Sequence, residues 1–505
     1  MKSKKIFNPR NFETAYLKNY PSTKIIPADE LLPELFKVYY GVKTVDQISP
    51  EIGTPCAFAY VPYYHGKTKL LMFNFFSRNY GIRDPLLIRV SLIKGSKICS
   101  IKQSIFAPDQ VYLEEFLDTN NDDVCQFGTA LVEIFHPRIK TQNDQFRFFV
   151  IFRDQNEGKI SGVHSMGFNK LKIHQKQLNT GYRSYTPSQT QAHYFDMTEP
   201  RMPLVSDNKQ NGELLLYANL KQSYYYTLGY LCLEDDANSP SGIWHDNLEN
   251  NTVNVCSNKF QSGTNSPCMT AFYVPDFQHN APVALISSHE IGFQPESLLI
   301  RAFYESGELI TERSIEVKSD PDSIDLAKVF SEDSIEGSTF FVVNFGRELM
   351  EFENAPPCSL SLYYGCGRRF ADQVHSLTSH YIGYQQELRP NPKSYRMRKM
   401  APFFKEDGLK FAYSIVTANL RKISEVTVNL RVFTDMGTEH VFNRYPLLND
   451  GVAVIHGDSL METIDSNIEQ SAVIWFEHQT LNFNGAWFAI DKNTGHVGVD
   501  HFTGG

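Results

Sequence analysis

Three histidines close three similar stretches of the chain, and imidazole can bind a metal ion or act as a general base. They are His164, His375 and His501. A metal site would require several of these side chains to converge on one point, which needs a particular packing of separate domains. Since the geometry of a shared fold explains a position that is repeated in duplicated domains, we interpret the three as structural residues. His380 is an alternative for the closing histidine of the second copy.

An arginine recurs in the same way. Leu86-Leu87-Ile88-Arg89 is repeated as Leu298-Leu299-Ile300-Arg301, and a weaker copy contains Arg431. A guanidinium group can bind a carboxylate or a phosphate through two parallel hydrogen bonds. Each arginine occupies the polar phase of a predicted strand. We therefore expect each one to pair with an acid on a neighbouring strand, in a structural role.

The segment Trp244-His245-Asp246 lies outside the repeated stretches, so a shared fold does not explain it. An indole beside an imidazole and a carboxylate in a polar loop could stack on a sugar or hold a cation. The alternative is that the tryptophan covers a core. These three residues are the candidate ligand-binding residues of the chain.

Residue types found in hydrolases meet in His456-Gly457-Asp458-Ser459. No G-x-S-x-G elbow, H-E-x-x-H helix or glycine-rich phosphate loop accompanies this segment. We therefore expect no catalysis from it. We expect neither a metal site nor a cofactor, and we favour a protein that is not an enzyme.

A long internal repeat contains these residues. Pro55-Cys56 recurs as Pro267-Cys268, and the arginine motif recurs at the same separation of 212 residues. The arginine precedes the closing histidine by 75, 74 and 70 residues in the three copies. A unit of about 100 residues is too long for a solenoid repeat and matches a small domain. We therefore predict three copies of one recurring domain.

Strand patterns dominate each copy. Val426, Val428, Leu430 and Val432 alternate with a second set of side chains, as in a half-buried strand. About seven such segments in the first copy suit a β-sandwich. Asn484-Gly485 predicts a hairpin turn in the third copy. The predicted fold is all-β, with tandem β-sandwich domains of immunoglobulin-like or jelly-roll-like architecture.

Six segments follow from these patterns. The predicted boundaries are residues 1–53 for an N-terminal leader with a short helix, 54–169 for the first sandwich, 170–264 for a divergent connecting region, 265–384 for the second sandwich, 385–408 for a basic linker and 409–505 for the third sandwich. The connecting region could instead be a degenerate fourth unit.

Composition narrows the partners and the compartment. A net charge of −9 argues against a general nucleic-acid binder. The chain has no run of about 18 apolar residues and no apolar stretch behind its basic N-terminus, so we expect neither a membrane span nor a signal peptide. The eight cysteines are scattered without a C-x-x-C pair. They indicate reduced thiols in a cytoplasmic protein, or in one assembled in a cytoplasm.

The leading hypothesis is a non-catalytic binding or structural protein that presents tandem β-sandwich surfaces to a glycan or a protein partner. The alternative is an enzyme, metal-dependent or not, with a site assembled between domains around Trp244-His245-Asp246 and one closing histidine. Polar residues that converge in a deep cleft would favour the enzyme. Histidines that bond within their own domains would favour the binding protein.

Overall fold

The computed structural model describes residues 26–27, 57–74, 86–94, 97–116, 127–135, 148–156, 158–164, 192–194, 204–206, 214–215, 230–233, 240–244, 269–288, 297–318, 322–344, 358–364, 375–378, 397–417, 427–446, 452–464, 468–478 and 483–504. These residues form antiparallel sheets and three short helices, so the predicted all-β class is confirmed for the described part of the chain. Within the same ranges, no helix has the length and apolar character needed to cross a membrane.

Unit 1 is the set of eight strands between residues 57 and 164. They are β2 (Ala57–Tyr64), β3 (Thr68–Phe73), β4 (Leu86–Lys94), β5 (Lys97–Phe106), β6 (Val111–Glu115), β7 (Phe127–Phe135), β8 (Phe148–Asp154) and β9 (Lys159–His164). One sheet has the order β5-β4-β7-β2 and the other has the order β6-β3-β8-β9. A short strand from the N-terminal region, β1 (Ile26–Pro27), pairs with the outer edge of β5.

Unit 2 is the set of eight strands between residues 269 and 378. They are β15 (Met269–Val274), β16 (Val283–Ser288), β17 (Ser297–Tyr304), β18 (Leu309–Glu316), β19 (Asp322–Asp325), β20 (Thr339–Asn344), β21 (Cys358–Tyr364) and β22 (His375–Thr378). Its sheets have the orders β15-β20-β17-β18 and β19-β16-β21-β22. Two single-turn helices, α1 (Phe277–Asn280) and α2 (Leu326–Val329), follow β15 and β19.

Unit 3 is the set of eight strands between residues 397 and 501. They are β23 (Met397–Phe404), β24 (Leu409–Thr417), β25 (Thr427–Thr434), β26 (Glu439–Pro446), β27 (Val452–His456), β28 (Ser471–His478), β29 (Phe483–Asp491) and β30 (Val497–His501). Its sheets have the orders β26-β25-β28-β23 and β27-β24-β29-β30. The helix α3 (Gly457–Ile464) follows β27, and β31 (Thr503–Gly504) adds to the edge of β23.

One strand order describes all three units. When the strands are counted from the first strand of each unit, one sheet has the order 4-3-6-1 and the other has the order 5-2-7-8. Immunoglobulin constant domains pair their first strand with their second. Here the first strand pairs with the sixth, so the immunoglobulin strand order is not the one observed.

The described residues between units 1 and 2 form five strands. They are β10 (Ala192–Tyr194), β11 (Leu204–Ser206), β12 (Leu214–Leu215), β13 (Tyr230–Leu233) and β14 (Pro240–Trp244). β10 pairs with β11, while β12, β13 and β14 form a three-stranded sheet. The possibility of a fourth unit here stays a prediction, and the predicted helix in residues 1–53 lies outside the described residues.

Burial in the strands depends on what covers the second face of a sheet. In β17, Leu298 and Ile300 are buried, and Arg301 on the opposite face of the strand is half-buried. This is the burial expected of an alternating strand. In β28, by contrast, the first seven residues are all buried. Trp475 packs against Phe73 of unit 1 with ring centroids 5.5 Å apart. Phe476, the next residue in the sequence, faces the core of unit 3. Unit 1 therefore covers the second face of this sheet.

Unit 3 contacts both of the other units through aromatic side chains. The ring of Phe73 in unit 1 stacks on that of Phe433 in unit 3 at 4.5 Å. The ring of Tyr273 in unit 2 meets that of Phe488 in unit 3 edge-on at 5.2 Å. One hydrophobic cluster consequently runs through units 1 and 3, and a second runs through units 2 and 3.

The Asn484-Gly485 segment is not the predicted turn. Gly485 lies inside β29, where it pairs with Ile415 of β24. A Cβ atom on Gly485 would lie 2.1 Å from the carbonyl oxygen of Ser414 and 2.4 Å from a ring carbon of Phe502. The glycine therefore permits a close approach of a neighbouring strand and a ring, which is the other common reason for glycine in a strand.

We predict that Gly485→Ala lowers the free energy of unfolding by about 1–3 kcal/mol, because a backbone carbonyl cannot move aside cheaply. Urea denaturation measures the change. Gly66→Ala is the comparison, since Gly66 has a φ of 71° but no neighbour within 4 Å of an added Cβ. The left-handed conformation alone should cost about 1–2 kcal/mol in that variant. A cost for Gly485→Ala below that for Gly66→Ala would contradict the close-approach explanation.

Candidate functional site

Two turns of the same sequence form join the last two strands of unit 1 and of unit 3. Residues 154–158 and residues 491–495 both read Asp-x-Asn-x-Gly. In each turn the aspartate accepts a hydrogen bond from the backbone N–H of the asparagine, at 3.1 Å in unit 1 and 3.0 Å in unit 3. The closing glycines, Gly158 and Gly495, have φ values of 65° and 72°, which glycine adopts without strain. The strands β9 and β30 therefore start in the same local geometry.

These two turns contact each other across the boundary between the units. The carbonyl oxygen of Gly158 accepts hydrogen bonds from the hydroxyl of Thr494 and from Nδ1–H of His496, both at 3.1 Å. On the other side, the buried side-chain amide of Asn280 in unit 2 donates to the carbonyl oxygen of Gly495 at 3.0 Å. The turn of unit 3 is thus held by both neighbouring units.

Arg153 is the charged centre of the contact between units 1 and 3. Its guanidinium group donates to Asp491 at 2.9 Å, to Glu406 at 2.6 Å and to the carbonyl oxygen of Asp407 at 2.8 Å. The side chain of Arg153 is 5% exposed and that of Asp491 is 1% exposed. Gln155 of unit 1 donates a further hydrogen bond to Glu406 at 2.6 Å. All of the acceptors belong to unit 3.

The carboxylates of this network are stabilised in their charged form. Burial by itself would raise the pKa of Asp491, but hydrogen bonds from Arg153 and from backbone N–H groups of the turn hold that pKa below its usual value. Burial by itself would also raise the pKa of Glu406. Hydrogen bonds from Gln155 and Lys69, with the positive charges of Lys69 and Arg153, bring the pKa of Glu406 below its usual value as well.

The paired turns also bring two of the repeated histidines together. His164 and His501 each lie ten residues after the aspartate that begins the turn. Because β9 and β30 are neighbours, the two imidazole rings meet edge to face with their centroids 4.0 Å apart. Units 1 and 3 are thus packed so that two of the three closing histidines converge on one point.

Asp500 links these two histidines. Its Oδ2 atom accepts hydrogen bonds from the backbone N–H of His164 at 2.6 Å and from Nδ1–H of the same residue at 2.5 Å. Its Oδ1 atom accepts from the backbone N–H of His501 at 2.7 Å. The Nδ1–H group of His501 donates to the carbonyl oxygen of Phe502 at 2.9 Å. The partner of His164 therefore lies in unit 3, whereas that of His501 lies in its own unit.

This cluster could serve three purposes. The hydrogen bond between Asp500 and His164 fastens unit 1 to unit 3. A carboxylate that orients an imidazole through Nδ1–H is also the arrangement of a general base. Finally, two imidazoles and a carboxylate are a common set of ligands for a transition metal. The side chains of His164 and Asp500 are 2% exposed and that of His501 is 8% exposed, so a substrate in bulk water does not reach them in this arrangement of the units.

The repeated arginines all lie in the third strand of their units. Arg301 contacts Glu312 on the adjacent strand at 3.0 Å. Arg431 contacts Glu439 at 2.7 Å and Glu477 at 2.9 Å, on the two strands that flank it. In unit 1, Arg89 lies opposite Glu133 in the register of β4 and β7.

The other residues predicted from the sequence lie at the ends of short strands or outside the described residues. His375 is the first residue of β22, where its backbone lies opposite Tyr364. Trp244 is the last residue of β14, a strand that lies against β9. His245, Asp246 and His380 are outside the described residues. The structure therefore brings His164 and His501 together, and it places the strand that carries Trp244 against β9.

Sequence reasoning did not single out Arg153, Glu406, Asp491 or Asp500. A usable signal exists for part of this set. The Asp-x-Asn-x-Gly turns of units 1 and 3 lie at the same separation as His164 and His501, so an alignment on the turns pairs the two histidines and predicts equivalent hairpins. We find no comparable signal for Glu406, whose role depends on how the units pack.

Comparison with known proteins adds little to this geometry. No family model matches the chain, and no curated protein matches it. A lectin of Pleurotus ostreatus in its apo form is 7% identical, with a TM-score of 0.13, over 48% of this chain and 77% of the lectin. The BSP domain of a biofilm-associated protein is 9% identical, with a TM-score of 0.16, over 89% and 96% of the two chains. Likenesses of this size carry no argument about fold or function.

We predict that Arg153→Ala lowers the free energy of unfolding by about 3–5 kcal/mol, because it leaves the carboxylate of Asp491 buried without its cation. Arg313→Ala is the matched control. Arg313 pairs with Asp333 at 2.8 Å, but its side chain is 40% exposed, so the loss there should stay within about 1 kcal/mol. Urea denaturation distinguishes the two, and similar losses would contradict a central role for the buried pair.

We also predict that the contact between units 1 and 3 weakens in acid. The folded-state pKa values of Asp491 and Glu406 lie below their ordinary values of 3.8 and 4.5. Their contribution to stability is therefore complete above about pH 5 and is lost as the pH falls through the lower folded-state values. Unfolding measured from neutral pH downwards should show a smaller acid loss in Glu406→Gln than in the wild type. An equal loss in both would contradict the prediction.

Proposed function

We propose that this chain is a non-catalytic structural or binding protein, built from three tandem β-sandwiches of one recurring type. The sandwiches hold one another in a fixed arrangement and present their outer surfaces to a protein or glycan partner. Support for the recurring type comes from the strand order 4-3-6-1 and 5-2-7-8, which describes units 1, 2 and 3 alike.

The contact centred on Arg153 is the observation that carries the proposal. Its charged groups satisfy one another across the boundary, and they are buried where they do so. Gly162 lies so close to unit 3 that an added Cβ would be 2.1 Å from the ring of Trp487. A boundary built in this way favours a fixed arrangement of units over a cleft that opens for a substrate.

Exposed apolar side chains support a role in partner binding. Tyr304 and Leu309 are 39% and 50% exposed at the turn between β17 and β18. Met436 and Val441 are both 47% exposed in the β25–β26 hairpin, which is the equivalent hairpin of unit 3. Aliphatic groups of this kind suit a protein surface, while the tyrosine ring also suits a sugar. The net charge of −9 disfavours nucleic acid as the partner.

One observation favours the second candidate, an enzyme with a site between units. His164 has its Nδ1–H oriented by the carboxylate of Asp500, as a general base requires. The strand that ends at Trp244 lies against β9, the strand that carries this histidine. The burial of the cluster is the reason that we place this candidate second.

Turnover assays on the purified full-length chain test the choice between these candidates. Panels of chromogenic esters, phosphates and glycosides should show no turnover that distinguishes the wild type from His164→Gln. His496→Gln serves as the control, since it replaces another histidine at the same boundary. Turnover that is lost in His164→Gln and in Asp500→Asn but kept in His496→Gln would establish the enzyme instead.

A further inference from the structure

We infer that His164, Asp500 and His501 form a binding site for one divalent transition-metal ion of the zinc class, shared between units 1 and 3. The inference goes beyond the proposed function, because a structural or binding protein needs no metal. Its failure would leave the fixed arrangement of units intact.

The first argument is the closeness and the chemistry of the three side chains. Each can offer one ligand atom, and these atoms all lie within 4.8 Å of one another. Two imidazole nitrogens and one carboxylate oxygen suit the borderline first-row ions, of which Zn²⁺ is a common example. Calcium and magnesium prefer sites made of oxygen atoms, so the two imidazoles argue against them.

The second argument is the way in which the imidazole rings are held. Histidines that bind a metal usually donate their other ring N–H to a carboxylate or a backbone carbonyl. His501 donates Nδ1–H to the carbonyl oxygen of Phe502 at 2.9 Å, which leaves the lone pair of its Nε2 as the metal-binding atom. His164 has its Nδ1 atom 2.5 Å from Asp500, and its Nε2 atom lies on the far side of the ring. His164 therefore binds the shared ion through Nδ1, which gives up its proton when the ion enters.

The carboxylate of Asp500 lies between the two nitrogen ligands. Its Oδ2 atom lies 2.5 Å from Nδ1 of His164. Its Oδ1 atom lies 4.0 Å from Nε2 of His501. Metal bonds of about 2.0–2.2 Å to both atoms would bring them somewhat closer together. The shift needed is a fraction of an ångström for each side chain, which a well-packed site can accommodate by small rotations.

The third argument is the charge. Asp500 is a carboxylate with a side chain that is only 2% exposed, and a buried charge is stable only when it is well compensated. Hydrogen bonds from two backbone N–H groups and from His164 contribute to that compensation. A divalent cation would add to it and would tie β9 of unit 1 to β30 of unit 3, because its ligands come from both.

Metal content after reconstitution is the test. The full-length chain is stripped with a chelator, mixed with an equal amount of Zn²⁺, desalted and measured by plasma mass spectrometry. The expected result is about one zinc ion per chain in the wild type and in His496→Gln, and at least a tenfold lower zinc content in His164→Gln and His501→Gln. The control replaces a histidine at the same boundary whose ring bonds Gly158.

A wild-type chain that retains no zinc would overturn the inference, as would zinc that remains tightly bound in His501→Gln. X-ray absorption at the zinc edge of the wild type keeps the inference testable if the variants do not fold. The expected spectrum shows two imidazole ligands with oxygen in the remaining positions. Sulfur ligands, or a single imidazole, would place the ion elsewhere and overturn the assignment.

Discussion

A guanidinium group buried between two units is the constraint on which the rest of the arrangement depends. Arg153 can be buried only because it forms ion pairs with Asp491 and Glu406 on the other side of the boundary. A charge of this kind tolerates little displacement, since each lost contact leaves an ion unpaired in a poorly hydrated place. The same placement sets the two Asp-x-Asn-x-Gly turns against each other. It thereby fixes where β9 and β30 run and where their histidines meet.

Local features of the fold were predictable from the sequence. Alternation of side chains identified the strand around Val428 and Leu430, because an exposed face and a buried face leave a period of two. The arginine of the repeated motif was expected to pair with an acid on a neighbouring strand, and Arg301 and Arg431 have such acids within 3.0 Å. Arg301 with Glu312 and Arg431 with Glu439 join the two strands of one hairpin, so a short sequence window contains both pairs, whereas Glu477 is 46 residues from Arg431.

Relations between units were not predictable in the same way. The hydrogen bond from His164 to Asp500 joins residues that are 336 positions apart, and no periodicity within either strand encodes it. Gly485 shows a related limit. The Asn-Gly pair has the composition of a turn, yet the close approach of Ser414 and Phe502 in the folded chain is what requires the glycine. Both features depend on how the sheets pack against one another, and a short stretch of sequence carries no information on that packing.

His164 and His501 occupy the same place in two hairpins of one sequence form, and they face each other. Contact between equivalent residues is what a twofold axis produces in a homodimer. Here both copies lie on one chain, so the contact is intramolecular and persists at any dilution. A single chain also lets the copies diverge, since Asp500 corresponds to Val163 when the turns are aligned. One acid thus bonds both histidines, through the imidazole of His164 and the backbone N–H of His501, whereas a symmetric dimer would place two acids or two valines there.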